Sequence, residues 1–157
     1  MSGPAFAPVE SLVPHAGPMC LLARVIEHGP LRTLCGVDPA KSAVLASPDG
    51  SVPIWVGLEY MAQCIAAHAG LVARARGEAP RPGVLLGSRR LRFAAQRFAR
   101  DRELRVEARH HRGEGGLVAF DCEVREASGG PPLVQGRLNV YIVGGFEELE
   151  AGGFDGG

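Results

Sequence analysis

Residues 54–73, IWVGLEYMAQCIAAHAGLVA, form a 20-residue apolar run broken only by Glu59, Gln63 and His68. That length would span a bilayer, so a membrane helix and a buried soluble helix compete. A carboxylate and an amide one turn apart, with an imidazole further on, are costly in a lone membrane helix. A helix apolar almost all round is also what a soluble protein encloses within a sheet. The expectation is therefore a buried helix and no membrane span. Upstream, residues 38–53 hold Pro39, Pro48, Gly50 and Pro53 and read as a loop, with Asp49 or Ser51 as candidate helix cap. Downstream, the helix should end near Gly77, with Arg74 and Arg76 in its last turn, where positive charge suits the helix dipole.

Outward from the helix the period changes. Residues 20–27 and 31–37 read as strands joined by the turn at His28, Gly29 and Pro30. Beyond the helix, residues 83–93, 103–111, 117–126 and 133–143 are β-type runs, with plain alternation at Leu104, Val106 and Ala108 and at Leu138, Val140 and Ile142. The links 112–116 and 127–132 have hairpin length and composition. A six-stranded antiparallel sheet and one apolar helix bury each other only if the sheet wraps the helix, so the expected class is α+β, a hot-dog fold. Its open edge predicts a dimer. One domain over residues 1–143 is expected, followed by a glycine-rich, acidic, mostly disordered tail at 144–157 (GGFEELEAGGFDGG).

The chain has 157 residues, 17 basic and 17 acidic, so it offers no net field to a polyanion. Aromatic residues are 6%, and no stacking platform accompanies the arginines, which argues against nucleic acid. Cys20, Cys35, Cys64 and Cys122 form no CxxC pair and stand at no zinc-ligand spacing from histidine. Reduced thiols, no metal and a cytoplasmic location are expected, since residues 1–8 have neither the basic nor the apolar part of a secretory signal.

Glu59 is the sharpest chemical feature. An ionisable group in the first turns of an apolar helix must be hydrogen-bonded or have its acidity altered by desolvation, and such a carboxyl group suits proton transfer. Gln63, one turn on, lies on the same face and can orient it. The backbone amides around Ile54, Trp55, Val56 and Gly57 offer a helix N-terminus to a developing oxyanion. His15 has two readings, a residue near the site or a loop histidine bonded to backbone, of which the second is the commoner. His68 follows Glu59 by nine residues and should pack in the core facing away from it, while His110 and His111 should be solvated. The run Arg89, Arg90, Arg92, Arg97, Arg100, Arg102 and Arg105 is either a solvated face or a docking surface.

Residues 12–25 (LVPHAGPMCLLARV) and 59–63 (EYMAQ) resemble the opening-strand and central-helix motifs of the 3-hydroxyacyl-[acyl-carrier-protein] dehydratases. Residues 92–104 are similar to the strand pair that comes after the helix in that family. Residues 52–63 (VPIWVGLEYMAQ) and 83–88 (GVLLGS) resemble more closely its ApeP subgroup, linked to aryl polyene pigment synthesis. The likeness extends over residues 9–143. It implies removal of water from a 3-hydroxyacyl thioester carried on the phosphopantetheine of acyl carrier protein, with no other cofactor. It also implies Glu59 as the catalytic carboxyl group, working with a histidine from the loop before the helix across a dimer interface. No histidine occurs between Leu31 and Tyr60, and Ile54 stands where the wider family has glycine. Arg89, Arg90, Arg92 and Arg97 would then meet the acidic carrier protein and its phosphate.

The missing loop histidine leaves three arrangements: Glu59 performs both proton transfers, a related dehydratase supplies the histidine in a heterodimer, or the chain stabilises such a partner without turnover. Thioester hydrolysis, with the helix carboxylate activating water, is a further reading of the same fold.

Overall fold

The computed structural model describes residues 5–15 and 17–142. Short 3-10 turns at Val9–Ser11 and Gly17–Met19 precede β1 (Arg24–Gly29) and β2 (Arg32–Val37). A 3-10 segment, Pro39–Leu45, leads to β3 (Val52–Pro53) and the helix α1 (Val56–Ala75). Then come β4 (Gly83–Phe93), β5 (Arg97–Phe98), β6 (Leu104–Glu114), β7 (Leu117–Glu126) and β8 (Val134–Ile142). Six strands form one sheet in the order β1-β2-β6-β7-β8-β4, all neighbours antiparallel, and β3 pairs with β5.

Alternation explains how the sheet holds the helix. Val106, Ala108, Phe120, Cys122, Val124 and Leu138 point inward against Val56, Tyr60, Met61, Cys64 and Ile65 of α1. The opposite face is polar, laced by ion pairs of Arg32 and Arg109 with Glu107, Arg125 with Glu123, and Arg137 with Asp121. The helix is long and apolar enough to cross a membrane, yet 67% of its most apolar window is buried inside the fold.

Several expectations need correction. The run 20–27 becomes a strand only from Arg24, because Leu21 N donates to Gln63 Oε1 and pins the preceding residues to the helix instead. Asp49 does not cap α1. Its carboxylate takes the amide and hydroxyl of Ser51 in a local turn, and the helix starts at Trp55 with no side-chain cap. The start is instead fixed by the short β3–β5 pair, by Ile54 N donating to Gln96 O, and by Tyr60 hydrogen-bonded to Ser42 at 2.7 Å. The helix does end as read, with Arg74 in its last turn and Gly77 at φ 71°. His110 is half-buried edge-on against Phe120, not solvated, whereas His111 is exposed as expected, 3.4 Å from Asp121. The tail at 144–157 lies outside the described residues.

Gly70, mid-helix, lets the N-terminal segment cross α1 closely, since a Cβ there would stand 2.7 Å from Leu12 O. At the sheet's margin, strand β4 pairs among the described residues only with β8, and its Val84, Leu85, Leu86 and Phe93 are exposed along that edge.

Candidate active site

Glu59 projects from the first turn of α1, and its Oε1 lies 2.9 Å from Nε2 of His15. The two come from segments 44 residues apart, and Gln63 is what joins them. Its amide nitrogen donates to Met19 O (2.7 Å) and to Glu59 Oε1 (3.0 Å), while its carbonyl accepts from Leu21 N (2.9 Å). Both donors and the acceptor are thus used, and a flipped amide would set like against like at each end. Gln63 is completely buried. It therefore fastens residues 19–21 to the helix and orients the carboxylate in one arrangement.

Gln63→Leu should retain the shape of this clamp and remove its chemistry. The Leu21 amide and the Met19 carbonyl would be left unpaired, at about 1–3 kcal/mol each, so a loss of about 2–5 kcal/mol is expected. Urea unfolding reads it as a lower midpoint at unchanged slope.

The His15 and Glu59 side chains are 30% and 33% exposed, so the pair sits at the rim of the fold within reach of a ligand. Glu59 Oε2 has no partner among the described residues. His15 Nδ1 is buried without a hydrogen-bond partner. A ring protonated on both nitrogens would bury an N–H with no acceptor. The surroundings therefore suit the neutral tautomer with its hydrogen on Nε2, donated to the Glu59 carboxylate. In that arrangement Oε1 is held by the ring and Oε2 is left open to a ligand.

The backbone amides at the helix start divide. Ile54 N is taken by Gln96 O and Gly57 N by Ile54 O, whereas Trp55 N and Val56 N have no partner among the described residues. Two adjacent free amides at a helix N-terminus, one turn before Glu59, are the donors available to a developing oxyanion. The Trp55 side chain is 56% exposed beside them.

The arginines read as one run occupy different places. Arg90 and Arg92 line a depression on the outer sheet face with Arg109, Arg137, Glu107 and Asp121. Arg97 lies on β5 opposite Pro53 and donates to Ser47 Oγ. Arg102 pairs with Glu126, while Arg89, Arg90, Arg92, Arg97 and Arg100 have no ion-pair partner among the described residues. No group of three or more potential metal ligands occurs among the described residues. The four cysteines are free, Cys64 and Cys35 approach to 3.8 Å, and burial pushes the Cys64 thiol well up.

The contact sequence reasoning missed is His15 with Glu59. His15 bonds a side chain and not backbone, and the readable signals were a histidine in the LVPHAG segment and a glycine inside an apolar helix.

Residues 7–150 match the ApeP-like family, described as ApeP dehydratase. The solved dehydratase heterocomplex ApeI:P from Xenorhabdus doucetiae is similar at 30% identity, covering 94% of this chain and 98% of that one, with a TM-score of 0.82. A hypothetical thioesterase with coenzyme A from Streptococcus pneumoniae is similar at 14% identity (77% and 85% covered, TM-score 0.57). The Escherichia coli PaaI protein from the phenylacetic acid degradation operon is similar at 13% (75% and 81%, TM-score 0.58). These last two share the hot-dog architecture alone. No curated protein sequence matches the chain.

Proposed function

The chain belongs to the ApeP-like dehydratase family, and from that membership we propose that it removes water from 3-hydroxyacyl thioesters with Glu59, oriented by His15, as its acid–base group. The carrying observation is their 2.9 Å contact, which supplies from the same chain the histidine absent from the loop before the helix. Glu59 Oε2 takes the proton from the α-carbon. The Cα–H electrons form the double bond, the β-carbon–oxygen bond breaks, and the same carboxyl group delivers that proton to the departing hydroxyl, which leaves as water. His15 keeps its Nε2–H throughout, donating to Glu59 Oε1 and holding the carboxylate in place, and the pair ends as it began. Trp55 N and Val56 N hold the thioester oxygen as it gains charge.

A phosphopantetheine thioester of acyl carrier protein is the proposed substrate. Arg97 and Arg100, unpaired and exposed near the loop that leads to α1, are the cations best placed for its phosphate, with Arg89, Arg90 and Arg92 further along the sheet edge for the acidic carrier. The exposed apolar residues of β4 fit a second hot-dog chain, and the likeness to ApeI:P supports a related dehydratase as that partner. Free cysteines fit a reducing, cytoplasmic setting.

Purified protein incubated with a 3-hydroxyacyl carrier thioester, alone and with a related dehydratase, tests this by ultraviolet absorbance and mass spectrometry. Enoyl thioester from the protein alone is expected. Product only in the partner's presence would make the chain a stabilising or half-site subunit, and free thiol would make it a thioesterase.

A further inference from the structure

The far end of α1 carries a second polar constellation, which the proposed reaction does not use. A cavity of about 380 Å3 opens between the last turns of the helix, the β1–β2 turn and the β6–β7 hairpin. Leu31, Val72, Val118 and Phe120 give it apolar and aromatic walls. For scale, about 150 Å3 is enough to admit benzene.

Two imidazoles interrupt those walls. His68 is 4% exposed, and its Nδ1 lies 2.8 Å from Thr33 Oγ1. Its Nε2 has no hydrogen-bond partner among the described residues, although the ring lines the cavity. His110 lines the cavity as well, packed edge-on to Phe120 at 5.6 Å, with neither ring nitrogen bonded among the described residues. Thr33 Oγ1 also lies 2.8 Å from His28 Nδ1. A hydroxyl has one hydrogen, so one of these rings presents a bare Nδ1 and the other an Nδ1–H. As the Thr33 hydroxyl turns, His68 Nε2 changes between donor and acceptor.

A ligand hydroxyl can match either state, because it donates and accepts. A carboxylate cannot, and His68 offers it no charge: burial beside His28 and His110 pushes that ring down to about 4, so it is neutral. The arginines stand at the mouth, where Arg76 and the Arg81–Glu78 pair lie. We propose that this cavity is a second binding site, selective for a neutral ligand or chain end carrying a hydroxyl group held between His68 and His110. It lies nine residues along α1 from Glu59, roughly 14 Å of helix axis, and stands independently of the dehydration proposed for His15 and Glu59.

Nuclear magnetic resonance of the imidazole nitrogens in the full-length chain, titrated with phenol, toluene and benzoate, tests it. Phenol should bind at least tenfold more tightly than toluene and move the His68 and His110 signals but not those of His15. Benzoate should bind no better than toluene. His110→Phe, which retains the ring and removes its nitrogens, should bring the phenol-to-toluene ratio towards one, and Val72→Phe should fill the cavity and abolish phenol binding in a folded protein. Equal binding of phenol and toluene, benzoate binding as tight as phenol, shifts at His15 alone, an unchanged ratio in His110→Phe, or no binding at all would each overturn the proposal. The two sources of such a hydroxyl separate with pantetheine thioesters. An ω-hydroxyacyl thioester that moves the His15 and His68 signals with one affinity and displaces phenol identifies a chain end. Phenol that binds undisturbed beside it identifies a free small molecule.

Discussion

Glu59→Gln is expected to lower kcat by about 10²–10⁴-fold, the usual effect of losing one acid or base, with little change in stability. The amide is close to isosteric. Its oxygen can still accept from Gln63 Nε2 and His15 Nε2–H, so the bonds that fasten residues 15–21 to the helix survive. What disappears is the group that takes the α-proton and later returns it. His15→Leu should cost up to about 10²-fold, since it removes the Nε2–H that holds the carboxylate in place. Because His15 acts through Glu59, the double variant should be hardly slower than Glu59→Gln alone. Turnover within tenfold of the parent in Glu59→Gln would refute Glu59 as the acid–base group, and losses that multiply in the double variant would refute His15 as the residue that positions it. Thermal melts of the three proteins guard against reading unfolding as lost catalysis.

The parts of the fold that were legible in the sequence are those governed by local period. The runs at 83–93 and 117–126 coincide with β4 and β7, because alternation and glycine or proline punctuation are local signals. Helix α1 was equally readable, since a chain apolar on nearly every side has only one place to go in a soluble fold. The errors arose where a long-range bond overrode a local preference. Leu21 looks like strand sequence, yet its amide is claimed by Gln63, 42 residues away. Asp49 looks like a cap, yet Ser51 is nearer than the helix. At the site, Glu59 and Gln63 were visible as polar groups one turn apart. The role of His15 was not, because its distance from Glu59 depends on how the N-terminal segment crosses α1, which no spacing within either segment encodes.

That crossing yields the second large effect. Gly70→Ala is expected to destabilise the protein and slow it together, although in an isolated helix the same change would gain about 1 kcal/mol. The added Cβ would stand 2.7 Å from Leu12 O and 3.2 Å from Leu12 Cα, so the clash is with backbone, which cannot rotate away. Val9, Leu12 and Val13 are all buried and resist the lift. Overpacking of this kind costs about 1–3 kcal/mol, which outweighs the helix-propensity gain and lowers Tm by several degrees. His15 is only three residues beyond Leu12, so a segment displaced by even about 1 Å carries it out of register with Glu59, and misplacement on that scale can cost about 10²-fold in rate. Leu12→Ala in the same background should not restore activity, because the offending atom is the carbonyl oxygen and not the side chain. Gly77→Ala is the contrasting change: nothing lies within 4 Å of its Cβ, and its φ of +71° strains only the helix end, so stability should fall while the pair at the other end of α1 stays active. If Gly70→Ala melts at or above the parent temperature with full turnover, the close crossing does not hold His15 in place.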